Sequence, residues 1–416
     1  LETEAEPPPE PIPNQSKKTS EKDQATIPRL EALFSEESYQ SVIETGERLL
    51  AAQPDAIEAL LLVMRAHMAL YRHDQALVLG HNALARSADA RLMSLLAKCY
   101  MADGKELAAM ELLEKSLAQN PADTDLFVEL FELQQGEGQT LRALASADSF
   151  IASNPSSEEP LVRKALLLSS LGELDGALAL LDRALAVAPK AAHIWSCKLS
   201  ISNYSTKVTP AESLQAANEF GRMLESKAKP FTDWAVQKEP QRLRVGIVSG
   251  DLNRHPVAYF LEEILRCSVR IDWFAYSTQS KRDDVSRRIE QRVAQWRDMS
   301  GLSAQNVAQT IHSDGVHILL DLSGHTALNA LPVFAYKPAP IQASWLGYFG
   351  TTGLSSIDYV ISDPISSPPS LQPQFTEALW RLPVTRLCFS EPVDLPPVSE
   401  LPALKNGYVT LGSFQR

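Results

Sequence analysis

Cysteine is scarce in this 416-residue chain and is never clustered. Its four cysteines are Cys99, Cys197, Cys267 and Cys388, so no Cys-x-x-Cys pair is present to begin a zinc or dithiol site. Isolated thiols are typical of reducing compartments. We therefore expect a cytoplasmic protein with reduced thiols and no cysteine-bound metal.

Long apolar runs, excess positive charge and glycine-rich nucleotide motifs are also missing. No stretch reaches the roughly 18 apolar residues of a membrane-spanning helix. The net charge is −12, from 51 acidic and 39 basic residues, which argues against nucleic acid and anionic membranes as partners. Neither a Gly-x-Gly-x-x-Gly nor a Walker sequence occurs, which disfavours dinucleotide and ATP binding.

The first residues are too polar to build a core. Five prolines lie within residues 7–13, and Glu, Lys, Ser and Gln surround them. Such a composition cannot bury enough apolar surface to fold. We expect residues 1–24 to form a disordered, proline-rich acidic tail.

A repeat of 34 residues follows the tail. Its markers are a proline, a glycine 17 residues before it and an alanine five residues after that glycine: Pro121, Pro155 and Pro189; Gly104, Gly138 and Gly172; Ala109, Ala143 and Ala177. Each unit predicts a helix, a glycine-containing turn, a second helix and a proline stop. The period and pattern resemble the tetratricopeptide repeat. We expect such repeats over residues 25–206, forming an α-superhelix whose concave face binds peptides. Chance spacing of unrelated amphipathic helices is the alternative.

An α/β domain is predicted beyond the repeats. Residues 207–240 suggest a helical connection, and strands then alternate with helices over residues 241–402, as in a Rossmann-like doubly wound parallel sheet. The strands are expected at Val245–Val248, Ile271–Tyr276, Val316–Asp321, Ile341–Leu346 and Tyr359–Ser362. The helices are expected at Ala258–Arg266, Asp283–Gln295, Ser303–His312 and Thr326–Ala335. Residues 403–416 predict the first strand of a further α/β half.

A loop rich in glycine and threonine ends the segment Pro338–Gly353. Glycine has no Cβ, so main-chain N–H groups there can approach a ligand closely. Ligands of α/β sheets bind at the carboxyl ends of strands, which makes this loop a candidate binding element. A tight strand exit that simply requires small residues is the alternative.

The sequence blocks of this domain resemble the O-GlcNAc transferase family. They are Arg-Leu-Arg-Val-Gly-Ile-Val-Ser-Gly-Asp (242–251), His255-Pro256, Asp-Gly-Val-His-Ile-Leu-Leu-Asp-Leu-Ser-Gly-His-Thr (314–326) and Pro-Ala-Pro-Ile-Gln-Ala-Ser-Trp-Leu-Gly-Tyr (338–348). Together with the repeats, they look like a bacterial-type member that stops before most of its second catalytic half. The resemblance implies the N-terminal half of a GT-B glycosyltransferase, in which two Rossmann-like halves enclose a sugar nucleotide.

The resemblance also implies a reaction. A sugar, GlcNAc from UDP-GlcNAc, would pass with inversion to Ser or Thr of protein acceptors that the repeats recruit, without a metal or other cofactor. GDP-fucose is a donor that the same fold allows. Because the second half is needed for the nucleotide, we expect this part of the chain alone to be inactive.

Site residues follow from the same resemblance. His255, in the His-Pro element, implies a catalytic residue that contacts sugar or acceptor; a histidine that only caps the following helix is the alternative. His325 lies where it could reach the cleft. The positions that match the donor site are Leu346, Gly347, Phe349, Thr351, Thr352 and Gln415.

Some positions depart from the family pattern. Phe349 replaces a usual proline, Leu328 and Ala330 replace glycine and arginine, and Trp195 lies where a histidine element is expected. A peptide-binding repeat scaffold with a degenerate, inactive glycosyltransferase domain is therefore the alternative function. The Asp123-Thr-Asp125 sequence imitates a metal-binding element, but its place after Pro121 predicts a helix cap instead.

Overall fold

A computed structural model describes residues 26–87, 89–389 and 396–413. The predicted tail lies outside this part of the chain. The chain divides into two compact units, Leu1–Leu167 and Leu168–Arg416. The predicted boundary between repeats and connection, at residue 206, falls inside the second unit.

Helices alone make up the described part of the first unit. Apolar side chains recur on one side of each helix, and they pack between neighbouring helices into successive hydrophobic clusters. The helices are α1 (Ile27–Ser35), α2 (Tyr39–Ala52), α3 (Ile57–Ala69), α4 (His73–Leu84), α5 (Ala90–Ala102), α6 (Glu106–Gln119), α7 (Thr124–Gly136), α8 (Thr140–Ser153) and α9 (Glu159–Ser170), which extends past the boundary.

The repeat markers have the structural roles that their chemistry predicts. The marker glycines have φ of +70°, +68° and +83°, in the left-handed region where glycine is favoured. The marker alanines are fully buried, as small residues must be where helices cross closely. Tetratricopeptide-like helical repeats are therefore confirmed for the N-terminal part of the chain.

Three helices precede the sheet in the second unit: α10 (Leu174–Val187), α11 (Ala192–Ser202) and α12 (Pro210–Glu225). Helix α12 begins with a capping box in which Thr209 and Glu212 satisfy each other's main-chain N–H groups. It packs directly against the glycine-rich loop, because a Cβ on Gly221 would lie 1.8 Å from the carbonyl oxygen of Gly353.

A seven-stranded parallel sheet follows, in the order β3-β2-β1-β4-β5-β6-β7. Its strands are β1 (Leu243–Ser249), β2 (Ile271–Ser277), β3 (Gln295–Asp298), β4 (Ile318–Asp321), β5 (Ile341–Ser344), β6 (Tyr359–Ser362) and β7 (Ala378–Arg381). The helices between and beyond them are α13 (Pro256–Cys267), α14 (Asp284–Glu290), α15 (Ala304–Asp314), α16 (Leu331–Phe334) and α17 (Pro402–Asn406), with a 3₁₀ helix at Pro369–Gln374.

Both faces of the sheet are buried. Ile247 packs with residues of α13, and the next residue, Val248, packs with residues of α12 and α15 in a second cluster. Successive side chains of a strand point to opposite faces, so the two clusters cover the two sides. This arrangement confirms the predicted doubly wound sheet. In the described residues, no helix is both long and apolar enough to cross a membrane.

One predicted helix is wrong. The helix expected over Thr326–Ala335 is reduced to the single turn α16, because Leu328 has φ of +57°, which a right-handed helix cannot contain. The strand predicted over residues 403–416 belongs to a further half, and its last three residues lie outside the described part of the chain. Within the described residues, this segment begins in the short helix α17, and residues 407–413 form no strand.

Candidate functional site

The strand order reverses between β1 and β4. From β1 the chain proceeds to β2 and β3 on one side, and from β4 to β7 on the other. Ligands of open α/β sheets bind in the crevice outside the carboxyl ends of strands at such a switch point. The loops after β1 and β4, with the neighbouring loop after β5, therefore form the candidate site.

The loops after β1 and β4 are in contact. The hydroxyls of Ser249 and Ser323 lie 3.3 Å apart. A Cβ on Gly250 would be 2.6 Å from the Cβ of Leu328, and Thr278 donates its hydroxyl to the carbonyl of Leu328 at 2.7 Å. The exposed Leu328 is thus held over the end of β1 by its main chain.

The loops after β4 and β5 approach even more closely. A Cβ on Gly347 would lie 2.1 Å from the carbonyl oxygen of Leu322, so only glycine fits at this position. The preceding Leu346 has φ of +67° and is buried. Gly347 therefore fixes the position of the loop that the sequence assigned to the donor sugar.

A buried carboxylate supports this junction from below. Asp321, at the end of β4, accepts hydrogen bonds from the N–H groups of Ser323 and Gly324 and from the hydroxyl of Ser344. Burial raises the pKa of Asp321 to about 6, although these hydrogen bonds oppose the rise. The side chain links the loop after β4 to strand β5.

His255 lies at the N-terminus of α13, just past β1. Its Nδ1 accepts the N–H of Val257 at 3.3 Å, so the side chain caps the helix. The carboxylate of Asp251 lies 3.8 Å from the same nitrogen, and the imidazole is 43% exposed. Burial raises the pKa of Asp251, and a charge on His255 opposes that rise. The predicted cap is present, and it leaves Nε2 without a partner among the described residues.

Neutral His255 can be assigned a tautomer from its contacts. An Nδ1 that accepts the Val257 N–H carries no proton, so the proton lies on Nε2. In this state Nε2 donates a hydrogen bond. Nε2 becomes an acceptor only if the proton moves to Nδ1, where Asp251 is the available acceptor and the Val257 bond is lost. The pair thus allows either donation to a substrate oxygen or proton abstraction.

Thr351 and Thr352 are bound to Glu377 rather than directed toward open space. Glu377 is buried and accepts the Thr351 hydroxyl at 2.7 Å, the Thr352 N–H at 2.8 Å and the Thr352 hydroxyl. Burial raises the pKa of Glu377, and these hydrogen bonds oppose the rise. In this conformation both threonines anchor the loop, and the side chain of Thr352 is fully buried.

His325 is enclosed, which corrects its expected access to the cleft. Its ring packs edge-on against Phe220 and Tyr348. Its Nε2 lies 3.1 Å from the carbonyl oxygen of Thr352 and its Nδ1 lies 3.2 Å from the hydroxyl of Ser196. A carbonyl can only accept, so Nε2 carries the proton and Ser196 donates to Nδ1. Burial lowers the pKa of His325 to about 3, and the ring is therefore neutral.

Phe349 is 54% exposed and borders a cavity of about 280 Å³. Tyr348, Gly350 and Thr351 also line this cavity, as does Arg386 from the segment after β7. The cavity continues toward the connection between α11 and α12. We call it the Arg386 cavity.

The structure therefore brings together only part of the predicted set. Leu346 belongs to the same core cluster as Val257, which lies two residues after His255, and Gly347 follows Leu346 in the chain. Phe349 faces the Arg386 cavity, and Gln415 lies outside the described residues. Sequence reasoning did not identify Asp251, Glu377 or Arg386. Only Asp251 had a usable signal, a carboxylate directly after a buried strand and four residues before the histidine.

Metal-ligating groups are not clustered in the described residues: no group of three or more His, Cys, Asp or Glu side chains could hold an ion there. The carboxylate of Asp123 accepts the N–H of Leu126 at 3.0 Å and caps α7. The predicted cap at this Asp-x-Asp sequence is confirmed.

A tetratricopeptide-like array followed by a doubly wound parallel sheet defines the class of the chain. Two family models match it. Glycosyl transferase family 41 matches residues 219–389, which include β1 to β7 and the candidate site. The ChAPs family (Chs5p-Arf1p-binding proteins) matches residues 12–194, in the helical repeats.

Curated relatives point in the same direction. A probable UDP-N-acetylglucosamine--peptide N-acetylglucosaminyltransferase SPINDLY from Solanum lycopersicum is 36% identical over 237 residues, which cover 55% of this chain and 26% of that protein. A UDP-N-acetylglucosamine--peptide N-acetylglucosaminyltransferase from Caenorhabditis elegans is 36% identical over 35% of this chain and 13% of that protein. The match thus spans about a quarter of the length of the SPINDLY relative.

A solved structure matches across both parts of the chain. It is an O-GlcNAc transferase variant from Thermobaculum terrenum, with a TM-score of 0.66 and 27% identity, covering 74% of this chain and 60% of that one. With the family 41 match, this likeness shows that the chain is similar to members of the O-GlcNAc transferase family. The expected relationship is confirmed.

Proposed function

We propose that the full-length protein is a protein O-glycosyltransferase of the cytoplasm, and that this chain supplies its acceptor-recruiting repeats and the N-terminal half of a GT-B catalytic domain. The donor is a nucleotide sugar, UDP-GlcNAc by the names of the relatives. The acceptors are Ser and Thr hydroxyls of proteins. The observation that supports this most strongly is His255, half-exposed beside Asp251 at the switch point of a family 41 sheet.

The chemistry joins an acceptor hydroxyl to the anomeric carbon of the sugar while the nucleoside diphosphate leaves. Attack on the face opposite the leaving group gives inversion. In the tautomer assigned from the Val257 contact, the Nε2–H of His255 donates a hydrogen bond to a sugar or acceptor oxygen and orients it. If the ring proton moves from Nε2 to Nδ1, which faces Asp251, Nε2 can instead accept the proton of the attacking hydroxyl. No step requires a metal or other cofactor.

Loop geometry supports a sugar beside Leu346 and Gly347. Gly347 touches the main chain of Leu322, and Asp321 holds the loops after β4 and β5 in register. A rigid loop at this place presents its main chain to the ligand without a cost in ordering. Thr351 acts indirectly, through Glu377, by fixing the far end of the loop.

Acceptor recruitment is assigned to the repeats. A groove of about 600 Å³ is lined by α3, α5 and α7 and contains both Arg65 and Arg91 and the acidic Asp125. Lys98 and Glu129 are paired within it at 2.7 Å. First helices of such repeats line the concave side of a superhelix, so we propose that extended acceptor segments bind there.

The test uses the full-length polypeptide, radiolabelled UDP-GlcNAc and a lysate as a source of acceptors. Label should enter protein with the parent and be lost with His255→Ala. His255→Asn is the matched control for folding, because asparagine also caps helices well. Failure of the parent to transfer label from UDP-GlcNAc, GDP-fucose or other nucleotide sugars, combined with retained peptide binding, would leave the scaffold alternative.

A further inference from the structure

The Arg386 cavity holds a cation that has no ionic partner among the described residues. It is bounded by residues of the α11–α12 connection, the loop after β5, the segment after β6 and Arg386 itself. Arg386 and Tyr348 are the titratable groups that line it. The net charge of the chain is −12, so carboxylates are plentiful. A half-buried guanidinium that forms no ion pair with the described residues therefore needs an explanation.

The guanidinium makes little use of its hydrogen-bonding capacity. Its Nη1 donates to the carbonyl of Leu346 at 3.5 Å, and no carboxylate of residues 26–87, 89–389 and 396–413 lies within ion-pair distance of it. The carboxylate of the neighbouring Asp363 accepts the main-chain N–H of Arg386, the N–H groups of Ile365 and Ser366 and the hydroxyl of Ser366, and it makes no hydrogen bond with the guanidinium. An arginine has five N–H donors in a planar fork, so most of them are left for a ligand.

Hydroxyl groups surround the same space. Ser205 lines it from the α11–α12 connection, Ser213 from α12, and Ser367 from the segment after β6. The Tyr348 hydroxyl accepts a hydrogen bond from Asn203 at 2.7 Å. A planar cation with nearby hydroxyl donors matches the geometry of a carboxylate or a phosphate.

We propose that the Arg386 cavity binds an oxyanion, a carboxylate or a phosphate group, through the guanidinium of Arg386. Arg386 donates to the carbonyl of Leu346, and Phe349 to Thr351 line the cavity, so the bound group adjoins the loop assigned to the sugar. If the proposed function holds, on which this step rests, the oxyanion belongs to an acidic or phosphorylated side chain of the acceptor, and Arg386 selects acceptors. A free small anion is the other source of the same chemistry.

The experiment measures binding rather than turnover, so that it does not depend on the proposed reaction. Inorganic phosphate is titrated calorimetrically into the full-length protein. In parallel, two fluorescent Ser/Thr-containing peptides that differ only by Glu or Gln near the hydroxyl residue are followed by anisotropy. The variants are Arg386→Gln, Arg386→Lys and, as control, Arg270→Gln, an exposed arginine outside the cavity.

Loss of a charge-assisted hydrogen bond predicts binding weaker by about tenfold or more. Arg386→Gln should show this loss, Arg386→Lys should lose less, and Arg270→Gln should bind like the parent. A preference for the Glu peptide that disappears in Arg386→Gln identifies the acceptor as the source. Phosphate binding with no difference between the peptides identifies a free anion, which supports the cavity and contradicts acceptor selection.

If neither phosphate nor the Glu peptide depends on Arg386, the proposal is overturned. Should Arg386→Gln fail to fold, phenylglyoxal modification of the parent gives the answer without a substitution. Phosphate or the Glu peptide should slow the modification of Arg386, read by peptide mass, and should leave that of Arg270 unchanged. Equal modification with and without both ligands contradicts the proposal.

Discussion

The carboxylate of Glu377 accepts the main-chain N–H of Thr352 at 2.8 Å, in a site that is closed to solvent. It also accepts the hydroxyls of Thr351 and Thr352. A buried acid with these donors is the anchor of the loop after β5. Every role assigned to Leu346 and Gly347 depends on that loop keeping its position.

Removing this anchor should loosen the loop. We expect Glu377→Ala to lower the free energy of unfolding by about 1–3 kcal/mol, because the Thr352 N–H is left buried without an acceptor. Glu377→Gln should lose less, since its amide oxygen can still accept. Urea denaturation of both variants measures the loss of unfolding free energy. Hydrogen exchange of the Thr352 amide measures the loosening of the loop. Unchanged protection of that amide in Glu377→Ala would show that the anchor is elsewhere.

Gly347 is predicted to tolerate no side chain. A Cβ there would lie 2.1 Å from the carbonyl oxygen of Leu322, and main-chain atoms cannot move aside cheaply. We expect Gly347→Ala to destabilise the protein by about 1–3 kcal/mol and to abolish sugar transfer by the full-length protein. Gly136→Ala is the control, since nothing lies within 4 Å of its added Cβ. Equal melting temperatures for the two variants would contradict the close contact.

Asp321 should make stability depend on pH. Its pKa is raised from 3.8 to about 6 in the folded state, so the folded protein binds the extra proton between these values. Its contribution to stability is then complete at low pH and is lost as the pH rises toward about 6. Relative to Asp321→Asn, the parent should lose on the order of 3 kcal/mol between about pH 4 and about pH 7.5.

Urea titrations of both proteins across this range measure that difference. Asp363→Asn is the control, because main-chain N–H groups hold the pKa of Asp363 down to about 2. Asp363 is therefore ionised in the folded protein throughout the range, and its difference from the parent should change little. A difference for Asp321→Asn that stays constant with pH would mean that Asp321 titrates normally.

Local chemistry explains which features could be predicted from sequence. The turn glycines and crossing alanines of the repeats act through neighbours a few residues away, so Gly138 and Ala143 were interpretable from spacing alone. His255 could be placed because the carboxyl end of a parallel strand is a general binding position. Strand β3 was not predicted, since its sequence Gln-Trp-Arg-Asp is short, polar and at the sheet edge.

The missed contacts are long-range ones. His325 lies 129 residues from Ser196, and Glu377 lies 25 residues from Thr352. The spacing of residues along a sequence does not show which polar side chain will hydrogen-bond to a residue of a distant helix, strand or loop. The threonines of the loop were therefore interpreted as ligand contacts, although the fold uses their hydroxyls internally. Arg386 was overlooked because its significance lies in a guanidinium that makes no ion pair with the described residues, which a sequence does not show.

The hydrogen bond between His325 and Ser196 of helix α11 can be tested by substituting the serine. Ser196→Ala should leave Nδ1 of His325 buried without a donor, and we expect a loss of about 1–2 kcal/mol in unfolding free energy. Ser200→Ala, on the same helix, is the control. Nitrogen chemical shifts should show His325 neutral with its proton on Nε2 down to about pH 4, since burial lowers its pKa to about 3. A ring that becomes protonated near pH 6.5 would contradict this enclosure.

His255 has two separable roles, and the cap allows them to be distinguished. Its Nδ1 accepts the Val257 N–H at the start of α13, so His255→Ala should cost about 1 kcal/mol of stability. His255→Asn should recover most of the lost stability, because asparagine is a preferred cap, but it cannot supply the imidazole Nε2.

If His255 contacts the reacting groups, both variants lose sugar transfer, while only His255→Ala loses stability. If the histidine is only a cap, His255→Asn should transfer sugar at nearly the parental rate. Thermal unfolding and label incorporation measured on the same preparations therefore decide between the two roles.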